Sequence, residues 1–494
     1  MFFRRISLSV AIIYAIGFFS AETKALEVAD FGATGDGRTS DTAAIQKAVD
    51  ACSRQGGGIV HFAAGQFVTG TILLKDNVTL RLDTNAVLLG SLDISEYKNI
   101  DAFTSGNGAG FGYCLIGAVD AKNTGIEGAG TIDGRGKELL AARPQGNNVR
   151  PFVIRFVRCD GVNVSGVNLK SPAAWTAHFS QSRNVVVDGV KITSLGLGNN
   201  DGLDIDSCRD VRVTDCDVNS GDDAICLKTT STNACQNIEV TRCRLKSHWA
   251  GIKFGTETAG DFKNITVTGC RITEALGGGI KLCSVDGANV DNVRISGVTM
   301  DKVTVPVFIR LGARLKTFRA GEPKQPVGSI LNVVIQDLKA QATWPVGIFI
   351  SGIPGHAVEN VTLTNIDIHL SGGGTAEDAA VQLEEKEAAY PEISMFGKKF
   401  PAYGLFARHV AGMHADAVVL ELAAADERPA IQCEDATDLE FAGWKSSGNA
   451  GTNLPVRFDS VRQAAFTGFG KSSPQVAGQG NSGIEFDGVD ASSR

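Results

Sequence analysis

The nonapeptides DVRVTDCDV (210–218), NIEVTRCRL (237–245) and NITVTGCRI (264–272) begin 27 residues apart and share one pattern. Each is apolar at its second, fourth, seventh and ninth positions. Five more segments keep the pattern at spacings of 23 to 40 residues: GVNVSGVNL (161–169), NVVVDGVKI (184–192), NVRISGVTM (292–300), NVVIQDLKA (332–340) and NVTLTNIDI (360–368). The chain therefore contains an internal repeat.

The apolar spacing of the repeat indicates strands. A helix would place apolar residues at i, i+3, i+4 and i+7 over about ten residues or more. These segments instead alternate, bend and resume, as two short strands joined by a corner do. One such coil per repeat, stacked on its neighbours, is a parallel β-solenoid, so we expect an all-β fold.

The seventh position of the repeat predicts a buried apolar column that contains Cys216, Cys243 and Cys270. Cys208 and Cys235, also 27 residues apart, form a second stacked pair. The chain has 11 cysteines, an odd number, and a buried thiol behaves as a small hydrophobic group. We expect these cysteines to be reduced. One or two bridges remain the alternative, because stacked neighbours can lie within disulfide reach.

The extent of the repeat predicts one long domain at 26–470. Residues 41–56 have helical periodicity, and this short helix is expected to cap the open first coil. The Gly/Ser/Gln-rich end at 471–494 predicts a flexible C-terminal tail. Insertions at 312–330 and 384–402 interrupt the period and are rich in charged and aromatic residues, so we expect them to form walls of a cleft.

The first 25 residues are typical of an export signal. Arg4 and Arg5 precede an apolar run (6–19), and small residues stand three and one positions before a cleavage point after Ala25. We expect cleavage there and a secreted or periplasmic protein; a retained anchor helix is the alternative. Beyond this segment the chain has no run of about 18 or more apolar residues, so no membrane span is expected after cleavage.

The composition excludes several classes of function. Charged residues make up 20% and hydrophobic residues 43% of the 494 residues, which is unlike a disordered chain. The net charge of −7 argues against nucleic-acid binding. We expect a monomer.

A second set of segments aligns as successive rungs of one strand: WTAHF (175–179), DGLDI (201–205), DAICL (223–227), AGIKF (250–254), GGIKL (278–282) and, as the expected continuation, FIRLG (308–312). Adjacent strands of a sheet lie about 4.8 Å apart. Asp201 and Asp223 are therefore predicted to be stacked neighbours, with Asp222 beside them.

Three carboxylates in one patch predict acid–base chemistry. Like charges so close raise at least one pKa, which leaves a protonated acid beside ionised partners. Acid-catalysed cleavage of a glycosidic bond with activation of water needs such a set. A solvated acidic turn and a calcium site are the other interpretations, and the neighbouring lysines argue against calcium.

The outward column of the same strand is predicted to contain His178, Asp204, Cys226, Lys253, Lys281 and Arg310. Lysine and arginine are common on exposed strand faces. Three cations on successive rungs beside an acid cluster nevertheless suggest an anionic ligand, and a uronate carboxylate would fit through charged hydrogen bonds. Trp175 at the strand start and the flanking His178 and His248 are further candidates for substrate contact.

At these residues the chain resembles glycoside hydrolase family 28, the polygalacturonase family. The family's Asn-Thr-Asp-Gly-x-Asp motif appears as Asn199-Asn200-Asp201-Gly202-Leu203-Asp204, and its Gly-Asp-Asp motif as Gly221-Asp222-Asp223. Residues 28–52 look like the N-terminal cap of that superfamily.

The resemblance implies a right-handed parallel β-helix and inverting hydrolysis of a galacturonic-acid-containing pectic substrate, without a metal or organic cofactor. It implies that Asp222 is the general acid and that Asp201 and Asp223 position and activate water. Asn199 and Asp204, which belong to the same motif, would take part in substrate binding.

Two departures from the family pattern concern substrate binding. The histidine of the family's Gly-His-Gly motif is replaced by Ala250, and His248 is a candidate substitute. The arginine of its Arg-Ile-Lys motif falls at Gly279, so other cations of the outward column would replace it. A rhamnogalacturonan or another uronate-containing glycan is therefore an alternative to unmodified homogalacturonan.

Two other classes of function fit the same solenoid. A polysaccharide lyase would need a basic residue to accept a proton, and often calcium. A non-catalytic glycan-binding or structural solenoid would not require the three-aspartate geometry.

Overall fold

The computed structural model describes residues 25–447, 454–469, 474–487 and 489–490. Short parallel strands pair coil upon coil into three sheets that run along the chain, which confirms the predicted solenoid. The predicted export signal lies outside the described residues, apart from Ala25. None of the helices in the described ranges is both long enough and apolar enough to cross a membrane.

The strands divide among three stacks. The short strands of the first sheet are Ile72–Leu74, Gly110–Val119, Phe152–Val157, Ala177–Ser180, Leu203–Asp206, Ile225–Thr229, Ala250–Thr258, Gly278–Ser284, Val307–Leu311, Ile348–Ser351 and Pro474–Ala477. Those of the second sheet are Leu26–Glu27, Gly58–Phe62, Val78–Leu82, Lys122–Gly128, Asp160–Ser165, Arg183–Asp188, Arg209–Thr214, Cys235–Thr241, Phe262–Thr268, Asn289–Ser296 and Ser482–Phe486. Those of the third sheet are Asp36–Ser40, Gly65–Thr69, Ala86–Gly90, Thr131–Asp133, Asn168–Lys170, Lys191–Ser194, Asp217–Ser220, Arg244–Ser247, Arg271–Thr273, Thr299–Val303 and Lys445–Ser447.

Long strands in the C-terminal half bend through corners or span more than one stack: Ser329–Ala342, Val358–Leu370, Leu405–Leu422, Ile431–Ala442 and Leu454–Thr467. Two pairs of strands within the described ranges are antiparallel: Lys98–Thr104 with Gly110–Val119, and Val489–Asp490 with Ser482–Phe486. The remaining elements are helical: Thr42–Arg54, Gly136–Ala142, Ala376–Ala379 and the 3₁₀ turns Val28–Phe31, Ile94–Glu96 and Ile393–Phe396.

The helix Thr42–Arg54 lies where a cap was predicted. Its apolar face buries Ile45, Val49 and Cys52 against the first coils. At the other end, the stacking extends past the predicted boundary at residue 470, because Pro474–Ala477 and Ser482–Phe486 both pair with Leu454–Thr467. Part of the segment predicted as a tail therefore forms strands.

The cysteine column is present as predicted. Backbone hydrogen bonds place Cys216, Cys243 and Cys270 one above another, and all three are buried. All eleven cysteines lie within the described residues, and all are free thiols. The interior of the solenoid therefore includes thiol groups that pack as small apolar side chains.

The register of the first sheet agrees with the prediction as far as Lys281 and then departs from it. Ala177, Leu203, Ile225, Ile252 and Ile280 form the predicted inward column. The next strand is shifted by two residues, because Lys281 pairs with Phe308 and Arg310 pairs with Cys283. Val307 and Ile309 both satisfy the two-residue alternation, so the pattern alone could not distinguish the two registers.

A left-handed corner residue begins each coil of the second sheet. The column includes Asn237, Asn264, Asn292, Asn332 and Asn360, all with φ between 55° and 56°. The Asn264 side chain donates to the Asn237 Oδ1 at 3.1 Å and accepts from the Asn292 Nδ2 at 2.9 Å. Asparagine tolerates this conformation because its short amide bonds locally, and here the amides also link neighbouring coils.

We predict that Asn264→Ala lowers the free energy of unfolding by about 1–2 kcal/mol, because alanine is strained at positive φ. Asn264→Gly should cost less, since glycine adopts this conformation freely. Thermal unfolding of both variants, with the exposed Lys263→Ala as control, measures the difference. Equal stability of the alanine variant and the wild type would contradict the account.

Candidate active site

Three aspartates project from the corners that join the third sheet to the first. Asp201 lies between strands Lys191–Ser194 and Leu203–Asp206, and Asp222 and Asp223 lie between Asp217–Ser220 and Ile225–Thr229. The backbone N–H of Gly202 donates to the Asp223 carbonyl at 2.9 Å. The two corners are therefore adjacent rungs, and the predicted cluster forms.

The residues around Asp201 hold its corner in place. The Asn200 side chain is buried, accepts from the Leu197 N–H at 2.7 Å and donates to the Ala174 carbonyl at 3.2 Å. Gly202 has no room for a side chain, because a Cβ there would lie 2.5 Å from the Ala224 carbonyl oxygen. This close backbone approach brings the rung of Asp201 onto the rung of Asp223.

The aspartates line a small cavity of about 30 Å³. Its other lining residues are Ser105, Asn107, Trp175, Asn199, Lys228, Lys253, Thr256, Glu257 and Tyr390. A space of this size accommodates a water molecule or two but is far smaller than a sugar ring. The acids therefore surround a position suited to water at the base of the cleft.

Asp223 is the ionised member of the cluster. Its carboxylate accepts from the Lys253 Nζ at 2.8 Å and from the Ala250 N–H at 3.2 Å. Burial alone would raise the pKa of Asp223, but the ammonium groups of Lys253, Lys228 and Lys281 outweigh burial and lower it below its usual value. Lys253 thus supplies a cation directly beside Ala250.

Asp222 retains a proton more readily. Its side chain is half-buried, and burial followed by the charge of Asp223 raises the pKa of Asp222 to about 6. The Asp223 N–H donates to the Asp222 Oδ1 at 3.0 Å, which fixes the carboxyl group. Below about pH 6, neighbouring residues of one corner therefore carry carboxyl groups of opposite protonation state.

Asp201 and Asp204 form a buried carboxyl pair behind the cavity. Burial raises the pKa of Asp204 to about 8, and burial together with the charge of Asp204 raises the pKa of Asp201 well above its usual value. Asp204 has no surface exposure, and neither of its oxygens has a hydrogen-bond partner among the described residues. The pair therefore retains a proton at neutral pH.

Lys228 organises this pair and is absent from the sequence-based prediction. Its Nζ lies 3.4 Å from Asp201, 3.5 Å from Asp204 and 3.3 Å from Glu257, and 4.3 Å from the centre of the Trp175 ring. Burial would lower the pKa of Lys228, but the surrounding acidic groups raise it. Lys228 follows Cys226 by two residues in the same strand, so the alternation could have placed it in this cleft.

Trp175 and His178 are structural parts of the wall. Trp175 is buried, stacks on Phe152 with 5.3 Å between ring centres, and faces Lys228, so no sugar can lie on it. The His178 Nδ1 accepts from Arg155 at 3.1 Å, and its Nε2 lies 3.2 Å from Asp206. Burial lowers the pKa of His178 to about 4. The burial of both side chains argues against the predicted substrate contact.

Three more residues were predicted to contact the substrate, His248, Arg310 and Lys281. His248 is exposed and is not among the residues that line the cavity, so its position does not favour the predicted substitution for the missing histidine. Arg310 is buried and donates to Ser351 and to the Gly352 carbonyl, and it pairs with Cys283 rather than with Lys281, two residues along the strand from its predicted position. Lys281 is fully buried and forms an ion pair with Glu392. These two cations are not available to a ligand.

Asn199, a predicted substrate-binding residue, lines the cavity and contacts a cation that the sequence did not reveal. Its Oδ1 accepts from the Arg150 Nη1 at 3.0 Å, and Arg150 also donates to the Ala173 carbonyl at 2.8 Å. Burial lowers the pKa of Arg150, whereas Asp201 and Asp222 favour its charged form. Arg150 lies in a loop outside the repeat, where no periodic signal could have identified it.

Segments outside the repeat form the walls of the cavity. Tyr390, from the predicted 384–402 wall, accepts from the Thr256 hydroxyl at 3.0 Å. The turn between Lys98–Thr104 and Gly110–Val119 was not predicted, and its Gly106 N–H donates to Glu257 at 2.5 Å. The 312–330 segment contributes Lys316, which donates to the Gly106 carbonyl at 3.1 Å.

Two groups of described residues could bring metal-ligand atoms within 4.8 Å of one another. One is Asp201, Asp204 and Cys226, and the other is the more exposed Asp367, His369 and Glu421. In the first group the Lys228 ammonium already supplies positive charge to both carboxyl groups.

The stacked parallel strands and the acidic cleft place the chain among the parallel β-helix proteins. The chain belongs to the glycosyl hydrolases family 28, whose family model matches residues 64–389. A second model, described as rhamnogalacturonase A/epimerase, pectate lyase-like, matches residues 25–95.

Curated relatives agree with this family. A probable polygalacturonase of Vitis vinifera is 34% identical over 42% of the chain and 45% of the relative. An exo-poly-alpha-D-galacturonosidase of Dickeya chrysanthemi is 28% identical over 42% of each protein. The chain thus matches less than half the length of these relatives.

A solved structure supports the fold. The hyperthermoactive exopolygalacturonase of Thermotoga maritima has a TM-score of 0.58 at 23% identity, covering 70% of this chain and 87% of that protein. The predicted right-handed parallel β-helix is thereby confirmed.

The buried carboxyl pair predicts a pH-dependent stability. The pKa of Asp204 is about 8 in the folded chain against an ordinary 3.8, so the folded state binds the proton more tightly than the unfolded state. Its contribution to stability is complete below the unfolded pKa and is lost as pH rises towards 8. Asp204→Asn should therefore show a smaller fall in melting temperature between pH 5 and pH 8 than the wild type.

The exposed Asp188→Asn is the matched control and should retain the wild-type pH dependence. Identical slopes for Asp204→Asn and the wild type would contradict the assignment of a proton to the pair.

Proposed function

We propose that this protein is an exported glycosidase that hydrolyses a galacturonic-acid-containing pectic polysaccharide or oligosaccharide with inversion at the anomeric carbon. The observation that supports it most is that Asp222 and Asp223 line one water-sized cavity with pKa values moved in opposite directions, that of Asp222 upward and that of Asp223 downward. The names of the relatives support the substrate class. Export rests on the sequence of residues 1–25.

In the proposed reaction, Asp222 donates its proton to the glycosidic oxygen as the bond to the anomeric carbon breaks. A water molecule attacks that carbon from the opposite face, and Asp223 accepts a proton from it. The products are one glycan fragment with a new hydroxyl group of inverted configuration on its anomeric carbon and a second fragment whose glycosidic oxygen has become a hydroxyl group. Asp222 ends ionised and Asp223 protonated, and exchange with solvent restores both.

The charge states favour Asp223 over Asp201 as the base. Lys253 keeps Asp223 ionised, whereas Asp201 shares a proton with Asp204. Asp201 is better suited to orient the water molecule, and Lys228 holds it in position at 3.4 Å.

Arg150 is the proposed contact for a substrate carboxylate. Its guanidinium donates to backbone carbonyls and to Asn199, and it has no carboxylate partner within the described residues. It is half-buried and close enough to feel the charges of Asp201 and Asp222. A uronate bound next to the acids could therefore accept charged hydrogen bonds from it.

Two alternatives differ in their support. A rhamnogalacturonan substrate remains the second candidate, because residues 25–95 match the rhamnogalacturonase A/epimerase model. A lyase is disfavoured because the pKa values of Lys228 and Lys253 are raised by the surrounding acidic groups despite burial. Both lysines therefore stay protonated and cannot accept a proton from a sugar.

The first prediction from this mechanism concerns pH. Asp222 must be protonated, so kcat/KM should fall as pH rises through about 6. Asp222→Asn should reduce turnover by about 10²–10⁴-fold, since an amide cannot donate the proton. Reducing-sugar release from pectic oligosaccharides across pH 4–9 measures both effects, with the exposed Asp215→Asn as control. Activity of Asp222→Asn within about threefold of wild type would remove Asp222 from the mechanism.

The second prediction concerns Arg150. Charged hydrogen bonds contribute about 1.5–3 kcal/mol, so Arg150→Gln should raise KM for a uronate substrate by roughly ten- to a hundredfold. Its effect on the carboxyl-reduced form of the same oligosaccharide should be small. Arg212→Gln, on an exposed strand face, is the control. Equal losses on both substrates would assign Arg150 a structural role.

A further inference from the structure

We propose that the cleft next to Trp249 and Glu392 binds a neutral sugar residue, so that the substrate places an uncharged unit on one side of the acids and a uronate on the other. This inference rests on the proposed function. It concerns the units on either side of the cleaved bond and reverses the expectation that the lysine column binds a carboxylate.

Trp249 offers an exposed aromatic surface beside the acids. It is 38% exposed and precedes Ala250, whose N–H donates to Asp223 at 3.2 Å. Its Nε1 donates to the Glu392 Oε1 at 2.9 Å, which fixes the ring. Gly277 packs closely against the indole, since a Cβ there would lie 2.9 Å from the ring. A fixed, half-exposed indole suits the apolar face of a pyranose.

Glu392 already occupies the position that a substrate carboxylate would need. Its carboxylate accepts from Lys281, lies 4.0 Å from the Lys253 Nζ, and accepts from the Trp249 indole. Lys253 is also bonded to Asp223 at 2.8 Å. Both lysines of the column are therefore neutralised by carboxylates of the chain itself.

An apolar anchor fixes Glu392 in this position. The next residue, Ile393, and nearby Phe396 and Phe400 are buried in a cluster with Phe349 and Phe406. The ring centres of Phe349 and Phe396 are 4.8 Å apart. Moving Glu392 away would disturb this packing, so a substrate carboxylate could not displace it without cost.

The charges of the cluster leave little room for another anion. The cluster contains three lysines and six carboxyl groups: Lys228, Lys253, Lys281, Asp201, Asp204, Asp222, Asp223, Glu257 and Glu392. With one proton on Asp222 and one shared by Asp201 and Asp204, the negative charges still exceed the positive ones. A carboxylate over Trp249 would be repelled, whereas the hydroxyls of a neutral sugar could bond to the same groups.

The other side of the acids has the opposite character. Arg150 contacts Asn199 and the Ala173 carbonyl, on the rungs before Asp223, and has no carboxylate partner in the described part of the chain. Trp249 lies on the rung after Asp223. The cleft is therefore cationic towards Arg150 and neutral or anionic towards Trp249.

Three disaccharides test this asymmetry: galacturonyl-galacturonate and the two forms in which one carboxyl group is reduced to a primary alcohol. For the wild type, kcat/KM should be about tenfold or more higher for the monoreduced form that places its uncharged unit next to Trp249 than for the diuronate. That form avoids the contact between a substrate carboxylate and Glu392. Glu392→Gln keeps the indole hydrogen bond and removes the charge, so this advantage should shrink to within about threefold. Glu384→Gln, an exposed residue of the same loop, should retain the wild-type ratio.

Affinities measured by calorimetry with Asp222→Asn separate this inference from the proposed function. If no oligosaccharide is cleaved, the proposed function fails. The ratio of the affinities for the monoreduced form and the diuronate still shows whether the site next to Trp249 prefers a neutral sugar. A diuronate that binds best, or an unchanged ratio in Glu392→Gln, overturns the inference. Should Glu392→Gln not fold, Trp249→Ala should weaken binding of the preferred monoreduced form about three- to tenfold, and unchanged affinity would overturn it.

Discussion

The pairing of each coil with the one before it is the constraint on which the whole molecule depends. Parallel backbone hydrogen bonds place equivalent residues of successive coils about 4.8 Å apart, and corner asparagines repeat the same left-handed turn from coil to coil. A residue type at one position of the repeat therefore becomes a column. Apolar positions form the continuous interior, and acidic positions on adjacent corners are forced together. The proximity of Asp201 and Asp223 follows from this stacking, which the absence of a side chain at Gly202 permits.

The carboxyl groups can be buried this close together only because buried lysines offset part of their negative charge. Lys228 lies between Asp201, Asp204 and Glu257, and Lys253 bonds Asp223. Breaking a buried ion pair leaves an uncompensated charge and is strongly destabilising, so the same lysines that set the protonation of the acids also hold the corners in place. Chemistry and stability are coupled at this site. Burial and then the charge of Asp223 raise the pKa of Asp222, whereas the lysine charges lower the pKa of Asp223.

Most features that the sequence predicted lie within the periodic part of the chain, and most of those that it missed, Lys228 excepted, lie outside it. The repeat predicted the solenoid, the cysteine column and the adjacency of the three aspartates, because each depends only on position within a coil. The alternation could not distinguish registers two residues apart, which misplaced Arg310. The two-residue alternation identifies side chains that point out of a coil, but it does not show whether other side chains bury them. Trp175 and His178 therefore seemed accessible from the sequence. Arg150, Tyr390 and Glu392 come from segments outside the repeat, whose approach to the cleft depends on tertiary packing alone.

The anchoring of Glu392 has a consequence for how such a protein can diversify. The acids belong to the repeating coils, whereas Glu392 and Tyr390 belong to an inserted loop whose apolar side chains pack on Phe308, Phe349 and Phe406 of the coils. A different loop would alter the surface next to the acids, provided that it covered the same apolar side chains of the coils. Under the proposed function, bond cleavage would depend on the stacked coils, and the choice of sugar would depend on the inserted loop.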